Sequence, residues 1–260
     1  MGVTTEIFDL SGQVAVLTGA SKGMGRSMAI ALADHGSNVV VSSRKLDQCQ
    51  VVVDEINDRC GEERAIAVAC NIGYKDQLQA LVDATHERFG AIDTLVANAG
   101  INPFYGSMRD IPDEAFDKIL ASNVRSNHWL TQMVLPDMLE KGRGSIMITS
   151  STGAFAGSET IGTYNISKAA DIALIRNLAL EWGPQGVRAN AICPGLIRTD
   201  FAKALWDNPE AAARVNAQTP LRRFGEADDF MGIVVFLASD ASAYVTGQAL
   251  TVCGGTYMYR

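Results

Sequence analysis

Short runs that are apolar at nearly every position alternate along the chain with longer stretches in which apolar residues recur three or four apart. The runs are VAVLT (14–18), NVVVS (38–42), AIAVA (65–69), TLVAN (94–98), SIMITS (145–150), RANAIC (188–193) and ALTV (249–252). Between them the spacing predicts a helix from about Met24 to His35. Further helical stretches are DQLQALVDATHERF (76–89) and DDFMGIVVFLAS (228–239), with long helices around 112–139 and 164–182. A strand that is apolar throughout has no face left for water, so it belongs in a sheet covered on both sides. Right-handed crossovers between such strands predict one doubly wound α/β domain over 1–260, a seven-stranded parallel sheet flanked by helices. The longest stretch without a strand signal, 194–227, follows Cys193-Pro194-Gly195 and carries Phe201, Leu205 and Trp206. A connection of that length reads as a substrate lid, around 195–225.

The first turn of such a sheet is where chemistry is expected, and it reads TGASKGMGR (18–26). Gly19, Gly23 and Gly25 have the spacing G-x-x-x-G-x-G. Glycines there allow a tight turn and a close approach of backbone N–H groups to a pyrophosphate, with the helix end adding partial positive charge. A dinucleotide site that takes NAD usually has an acid at the end of the second strand to bind the ribose hydroxyls. Here that end reads VVVSSRK (39–45), with Ser42, Ser43 and Arg44 in place and the nearest acid, Asp47, further on. Arg44 could fork onto a 2′-phosphate, Ser43 could donate to it, and Lys22 adds a second positive charge. NADP(H) is therefore expected in preference to NAD(H).

A second pattern concerns protons. GTYNISKAAD (162–171) sets Tyr164 one helical turn before Lys168, at the start of an apolar, helix-spaced run. A free phenol titrates near pH 10; a neighbouring ammonium favours the phenolate and lowers that value. Tyr164 could then protonate a carbonyl oxygen as hydride arrives at carbon, or take the proton from an alcohol in reverse. Upstream, Ser150 and Ser151 end a strand at the edge where open α/β sheets bind ligands. Ser151, thirteen residues before Tyr164, is the serine expected to hold the substrate oxygen. Phe104, Tyr105, Phe155, Phe201, Leu205 and Trp206 fall on loops near the same strand ends and could line an apolar pocket.

Composition narrows the partners. The formal charge is −7, with 22 Lys and Arg against 29 Asp and Glu. That argues against nucleic acid and against an acidic membrane surface. The five cysteines (49, 60, 70, 193, 253) are scattered, contain no C-x-x-C pair, and accompany three distant histidines. Neither a metal site nor a disulfide framework is expected, and a reducing, cytoplasmic setting fits. Early acids, Glu6 and Asp9, and the lack of a long apolar run predict neither signal peptide nor membrane span. Arg109, Arg125 and Arg198 are isolated and read as surface charges.

In order and spacing, TGASKGMG, NAG (98–100), SNV (122–124), SS before YNISK, and CPGLIRT (193–199) resemble the short-chain dehydrogenase/reductase family along nearly the whole chain. The resemblance implies a Rossmann-like domain, a catalytic set of Ser151, Tyr164, Lys168 and Asn123, and a lysine that also binds the nicotinamide ribose. In the family the asparagine holds a water that continues a proton relay to solvent. The resemblance also places Ser21 and Met24 of the glycine turn, Asn71 and Ile72 after the third strand, Asn98, Ala99 and Gly100 after the fourth, and Pro194, Gly195, Ile197 and Thr199 beside the nicotinamide. Two positions depart from the commonest pattern: Asn71 stands where many members have an aspartate, and Ala97 replaces the first asparagine of NNAG. VVVSSRK, NPFYGS (102–107) and LIRTDFAKALW (196–206) are most like the NADPH-dependent carbonyl reductases of the dehydrogenase/reductase member 4 type. That likeness implies a hydrophobic ketone or aldehyde substrate and a homotetramer. The rival readings are a 3-oxoacyl thioester reductase, an oxidatively working alcohol or sugar dehydrogenase, and a cofactor-binding sensor without catalysis.

Overall fold

A computed structural model of the chain describes residues 6–199 and 206–258. Seven strands form one parallel sheet: β1 (Val14–Thr18), β2 (Asn38–Ser43), β3 (Ala65–Ala69), β4 (Thr94–Ala97), β5 (Gly144–Thr149), β6 (Val187–Pro194) and β7 (Ala249–Val252). Their spatial order is β3-β2-β1-β4-β5-β6-β7. The chain winds outward one way from β1 and, after crossing back, outward the other way from β4. The crevice between these two halves, at the carboxyl ends of β1 and β4, is the place where such sheets take ligands.

Helices cover both faces. On one side lie α1 (Gly23–Asp34), α2 (Leu46–Cys60) and, near the end of the chain, α8 (Met231–Ala238). They bury Leu17, Val39 and Val41 of the sheet against Met28, Leu32, Val52, Ile56 and Val234. On the other side α3 (Lys75–Phe89), α5 (Ser126–Lys141) and α6 (Gly162–Trp182) bury Val16, Val40, Leu95 and Ile148 against Leu81, Val134 and Ile175. Neighbours Val16 and Leu17 thus point into opposite cores, the reason the strands read as unbroken apolar runs. Burying each such side chain contributes about 1.5–3 kcal/mol.

Two expected helices are divided. The stretch around 112–139 forms α4 (Asp113–Leu120), one π turn (Ala121–Arg125) and then α5. The 228–239 stretch begins as a 3-10 turn (Ala227–Phe230), closed by a reciprocal Glu226–Asp229 capping box, before α8. The expected lid region contains α7 (Pro209–Gln218). Its two flanks are tied by a parallel bridge between Ile197 and Gly225. Phe201 and Leu205 lie outside the described residues. All five cysteines are free. Among the described residues, no helix is long and apolar enough to cross a membrane.

At the amino end of the sheet, far from the crevice, Asp93 holds the centre together. Its carboxylate is 3% exposed, accepts from the Val14 amide at 2.9 Å and pairs with Lys141 Nζ at 2.8 Å. Replacing Asp93 by Ala leaves a buried strand amide without its acceptor and takes the carboxylate from Lys141, which keeps only the Ala91 carbonyl at 2.8 Å. The expected loss is about 2–3 kcal/mol in urea unfolding, with the Michaelis constants of the folded fraction unchanged. Unaltered stability would remove Asp93 from this role.

Candidate functional site

The glycine turn is shaped by how closely backbone meets backbone. Gly19 and Gly23 adopt positive φ, 64° and 55°. A Cβ at Gly25 would stand 2.3 Å from the Gly19 carbonyl oxygen, and one at Gly19 would stand 2.9 Å from Ala99 Cα. Neither position admits a side chain. No side chain caps the start of α1 at Lys22, so its first N–H groups face the crevice as donors for an anion. Ser21, Gly23 and Met24 are half-buried around this turn, and Lys22 is exposed. These features fit a dinucleotide pyrophosphate.

Asn98 braces the turn from within. Its Nδ2 donates to the carbonyls of Thr18 (3.2 Å) and Gly19 (3.0 Å), and its Oδ1 accepts from Thr149 Oγ1 at 3.2 Å. The amides of Asn98 and Ala99 both reach Thr18 Oγ1 at 3.2 Å. The Asn98 side chain thus fastens β1, β4 and β5 to one another. Ala97, the departure from NNAG, is 1% exposed and part of the second core.

At the end of β2, Ser43 is half-buried with its Oγ 3.1 Å from Cys49 Sγ. Arg44 is exposed and has no ion-pair partner among the described residues. Arg26, by contrast, is held by Glu55 at 2.5 Å. Asn71 accepts from the Gly73 amide through Oδ1 (3.1 Å), and its own amide donates to Gln77 Oε1 (2.8 Å). The Asn71 side-chain NH2 has no partner among the described residues. Ile72 packs against the second core.

The tyrosine and lysine lie where α6 begins. Tyr164 is half-buried; Lys168 is 3% exposed, with Nζ 5.8 Å from the Tyr164 ring centroid. Nζ donates to the Thr149 carbonyl at 2.9 Å and to Asp171 Oδ2 at 3.0 Å. Burial alone pushes this ammonium down, but the Asp171 carboxylate, Tyr164 and the Asp171 hydrogen bond together outweigh it, and the net direction is upward. Asp171 itself is fully buried, and burial pushes its carboxyl above the ordinary range against the pull of Lys168 and Asn127. The two serines part company. Ser150 is buried and donates to the Lys168 carbonyl at 2.7 Å, fixing α6 on β5. Ser151 is half-buried, and its Oγ accepts from the Gly153 amide at 3.0 Å, leaving its own proton to donate.

Asn123 sits in the π turn and is fully buried. Its Nδ2 donates to the Ile101 carbonyl and to Ser167 Oγ, both at 3.0 Å, while its Oδ1 accepts from the Ile101 amide at 2.8 Å. The Asn123 carbonyl accepts from Asn127 Nδ2 at 2.6 Å, and the same Nδ2 lies 3.0 Å from Asp171 Oδ1. A Cβ at Gly100 would lie 3.4 Å from Lys168 Nζ and 3.5 Å from Asn123 Oδ1. Gly100 is thus the lip over this buried group. Asp171, Asn127, Thr149 and Ser167 were not singled out in the sequence. An acid inside the apolar face of SKAADIAL was the available signal for Asp171.

The residues expected at the substrate end separate. Phe104 lines a narrow crevice with Met108, Ile161 and Tyr164. Tyr105 is 73% exposed. Phe155 stacks on Tyr257 of the carboxyl-terminal segment, ring centroids 4.6 Å apart. Trp206 Nε1 donates to the Thr199 carbonyl at 2.8 Å, and Thr199 Cγ2 would be 3.3 Å from a Cβ on Gly23. Pro194 is buried at the end of β6, and Gly195 lies so close to Cys253 that a Cβ would come within 2.8 Å of it. Ile197 buries its side chain in the first core, 5% exposed, with its backbone bridged to Gly225. Arg109 is exposed, Arg125 stacks on Trp129 at 5.0 Å, and Arg198 pairs with Glu226 at 3.5 Å.

A family model described as enoyl-(acyl carrier protein) reductase matches residues 19–257. Dehydrogenase/reductase SDR family member 4 of Bos taurus is 38% identical over 248 residues, 95% of this chain and 88% of that protein. Among solved structures, a 7α-hydroxysteroid dehydrogenase complexed with NADH and 7-oxo glycochenodeoxycholic acid superposes with a TM-score of 0.92 at 37% identity, covering 98% of both chains. A gluconate 5-dehydrogenase from Burkholderia cenocepacia J2315, in complex with NADP and tartrate, gives 0.91 at 29% identity over 97% of this chain and 98% of its own. With the glycine cradle at the switch point and the phenol–ammonium pair beside it, the chain belongs to the short-chain dehydrogenase/reductase family and is a nicotinamide-dependent oxidoreductase of that family.

Proposed function

We propose that the protein reduces a hydrophobic ketone or aldehyde to the alcohol with NADPH, Tyr164 serving as general acid. The observation that carries this reading is the buried Lys168 ammonium, 5.8 Å from the Tyr164 ring, under the lip of the glycine-lined crevice. When bound, the nicotinamide supplies the hydride for reduction or accepts it in reverse. Ser151 donates to the substrate oxygen and holds it against the phenol. Tyr164 passes its proton to that oxygen as negative charge grows there, and Lys168 stabilises the phenolate left behind. Asn123 keeps the Ile101 loop closed over Lys168 through two hydrogen bonds to Ile101 and one to Ser167 of α6.

NADPH over NADH is supported by the end of β2. A carboxylate there would repel a 2′-phosphate; Arg44 instead offers an exposed guanidinium with no ion pair among the described residues. The free NH2 of Asn71 suits a ring nitrogen of adenine. An apolar substrate is supported by Phe104, Phe155 and Trp206, which flank the same end of the sheet. The segment 195–225 would cover it as a lid of this single domain, with Phe201 of its undescribed part as a further candidate. A thioester or a sugar as substrate has no comparable support, since Arg109, Arg125 and Arg198 do not gather around the crevice. A homotetramer, implied by the family resemblance, and a cytoplasmic location belong to the same proposal.

Tyr164→Phe is expected to lower kcat for NADPH-dependent reduction across a carbonyl panel by about a hundredfold or more, with the melting temperature unchanged. Full activity of that variant would end the acid–base reading of Tyr164, and no turnover of any carbonyl by the wild type would leave a cofactor-binding sensor. Arg44→Asp is expected to weaken NADPH binding roughly ten- to a hundredfold, the equivalent of about 1.5–3 kcal/mol for a hydrogen bond to a charged group. NADH binding should change little. Equal losses for both cofactors, measured by fluorescence titration, would exclude Arg44 as the phosphate reader.

A further inference from the structure

Behind the reacting pair lies a carboxylate that the mechanism above does not use. Asp171 is one turn along α6 from Lys168, is 0% exposed, and takes Lys168 Nζ on Oδ2 and Asn127 Nδ2 on Oδ1, both at 3.0 Å. Both oxygens accept and neither faces a group that would receive a carboxyl proton, so the geometry calls for the ionised form. Lys168 has three N–H bonds. Thr149 and Asp171 take two, which aims the third toward the crevice.

We infer that Asp171 is a positioning residue for this reaction: it fixes the direction of the Lys168 ammonium and keeps the Tyr164–Lys168 pair proton-loaded at neutral pH. That is the state from which a carbonyl reduction must start, so the inference rests on the acid–base reading of Tyr164.

The sign follows from charge alone. With Asp171 ionised, the loaded site (Lys168 positive, Tyr164 neutral) is neutral overall, and losing a proton makes it negative. Without Asp171 the loaded site is positive, and losing a proton makes it neutral. Removing a buried negative charge therefore lowers the pH at which the pair gives up its first proton, whether that proton leaves from the phenol or the ammonium. The other groups facing the pair do not substitute for this charge. On β6, burial pushes the Cys193 thiol up to about 11, so it is uncharged at neutral pH. On α5 and the π turn the facing groups are the amides of Asn127 and Asn123; on β5 it is the Thr149 carbonyl; and Ser167 is a hydroxyl. Asp171 is the single carboxylate among these.

The test uses Asp171→Asn in the full chain, with two readouts. In the first, the alkaline limb of the pH profile for NADPH-dependent reduction should move down by about one pH unit, and Asp171→Glu should bring it back toward wild type. The second needs no turnover: the stability of wild type and variant is compared by urea unfolding from neutral pH to about pH 10. In the wild type, Lys168 is held above its unfolded value, so its contribution is present below that value and is lost as pH rises through the folded one. In the variant, burial without a counter-charge holds Lys168 below its unfolded value, so stability rises as pH climbs toward that value, while the Lys168 contribution in the wild type stays level there. The gap between the two proteins should therefore narrow as pH rises. A gap independent of pH together with an unmoved limb would overturn the inference and leave Asp171 a structural hydrogen-bond acceptor. If Asp171→Asn does not fold, Lys168→Met combined with it decides: recovered folding supports an unpaired ammonium as the fault, and failure to recover overturns it. Full activity of Tyr164→Phe alongside a narrowing gap would reject the acid–base reading while sustaining the hold of Asp171 on Lys168.

Discussion

An ammonium taken fully out of water must be surrounded by acceptors, and the centre of this protein is arranged to meet that demand for Lys168. Leaving it unpaired would cost several kilocalories per mole or a proton. The carbonyl of Thr149 and the carboxylate of Asp171 supply two acceptors, and each binds Lys168 to a different part of the scaffold. Thr149 ends β5. Asp171 hands the connection on to Asn127 in α5, and Asn127 hands it to the Asn123 carbonyl in the π turn. The side chain of Asn123 then closes on Ile101, in the loop after β4. A chain of hydrogen bonds thus runs from the reacting pair around to the loop over the cofactor crevice. Lysine position, helix α6 and the β4 loop cannot be adjusted independently.

The glycine turn obeys a different constraint, backbone crowding rather than charge, yet meets the same elements. The crevice exists because β1 and β4 are neighbours whose connections run in opposite directions. Two loops leaving adjacent strand ends would drift apart unless something joined them. Asn98 joins them with one side chain, reaching Thr18 and Gly19 on one side and Thr149 on the other. Thr149 therefore serves both halves: its hydroxyl donates to Asn98 and its carbonyl accepts from Lys168. The glycine turn and the Tyr164–Lys168 pair are registered to each other through Thr149, at the end of β5.

Much of this was legible before any coordinates, for physical reasons that also explain the rest. Strands buried on both faces must be apolar throughout, so VAVLT and AIAVA matched β1 and β3 to the residue. The close approach at Gly25 and the turn between Tyr164 and Lys168 are local and carry local signatures. The π turn was not expected, although Asn123 was, because polar Ser122, Asn123, Ser126 and Asn127 do not interrupt the helical spacing around 112–139. Their side chains compete for helix carbonyls instead: Ser126 takes the Ser122 carbonyl at 2.5 Å and Asn127 that of Asn123. Asp171 was missed because an acid three residues after a lysine reads as a surface pair worth a few tenths of a kilocalorie per mole. Only burial by β5, β6 and α5 turns it into something else.

The connection around 195–225 is fastened to the rest of the fold at both of its flanks. Its first flank is bound to the cofactor turn: Thr199 lies against Gly23, and Trp206 donates back to Thr199. Its second flank is bound to the carboxyl-terminal segment, where Leu221 donates to the Gly254 carbonyl and Gly255 lies against Pro220. That same segment carries Tyr257, stacked on Phe155 of the loop that begins at Ser151. One flank of the connection is thus seated on the glycine turn, and the other on the segment stacked against the loop after Ser151. The Ile197–Gly225 bridge clamps the two flanks to each other.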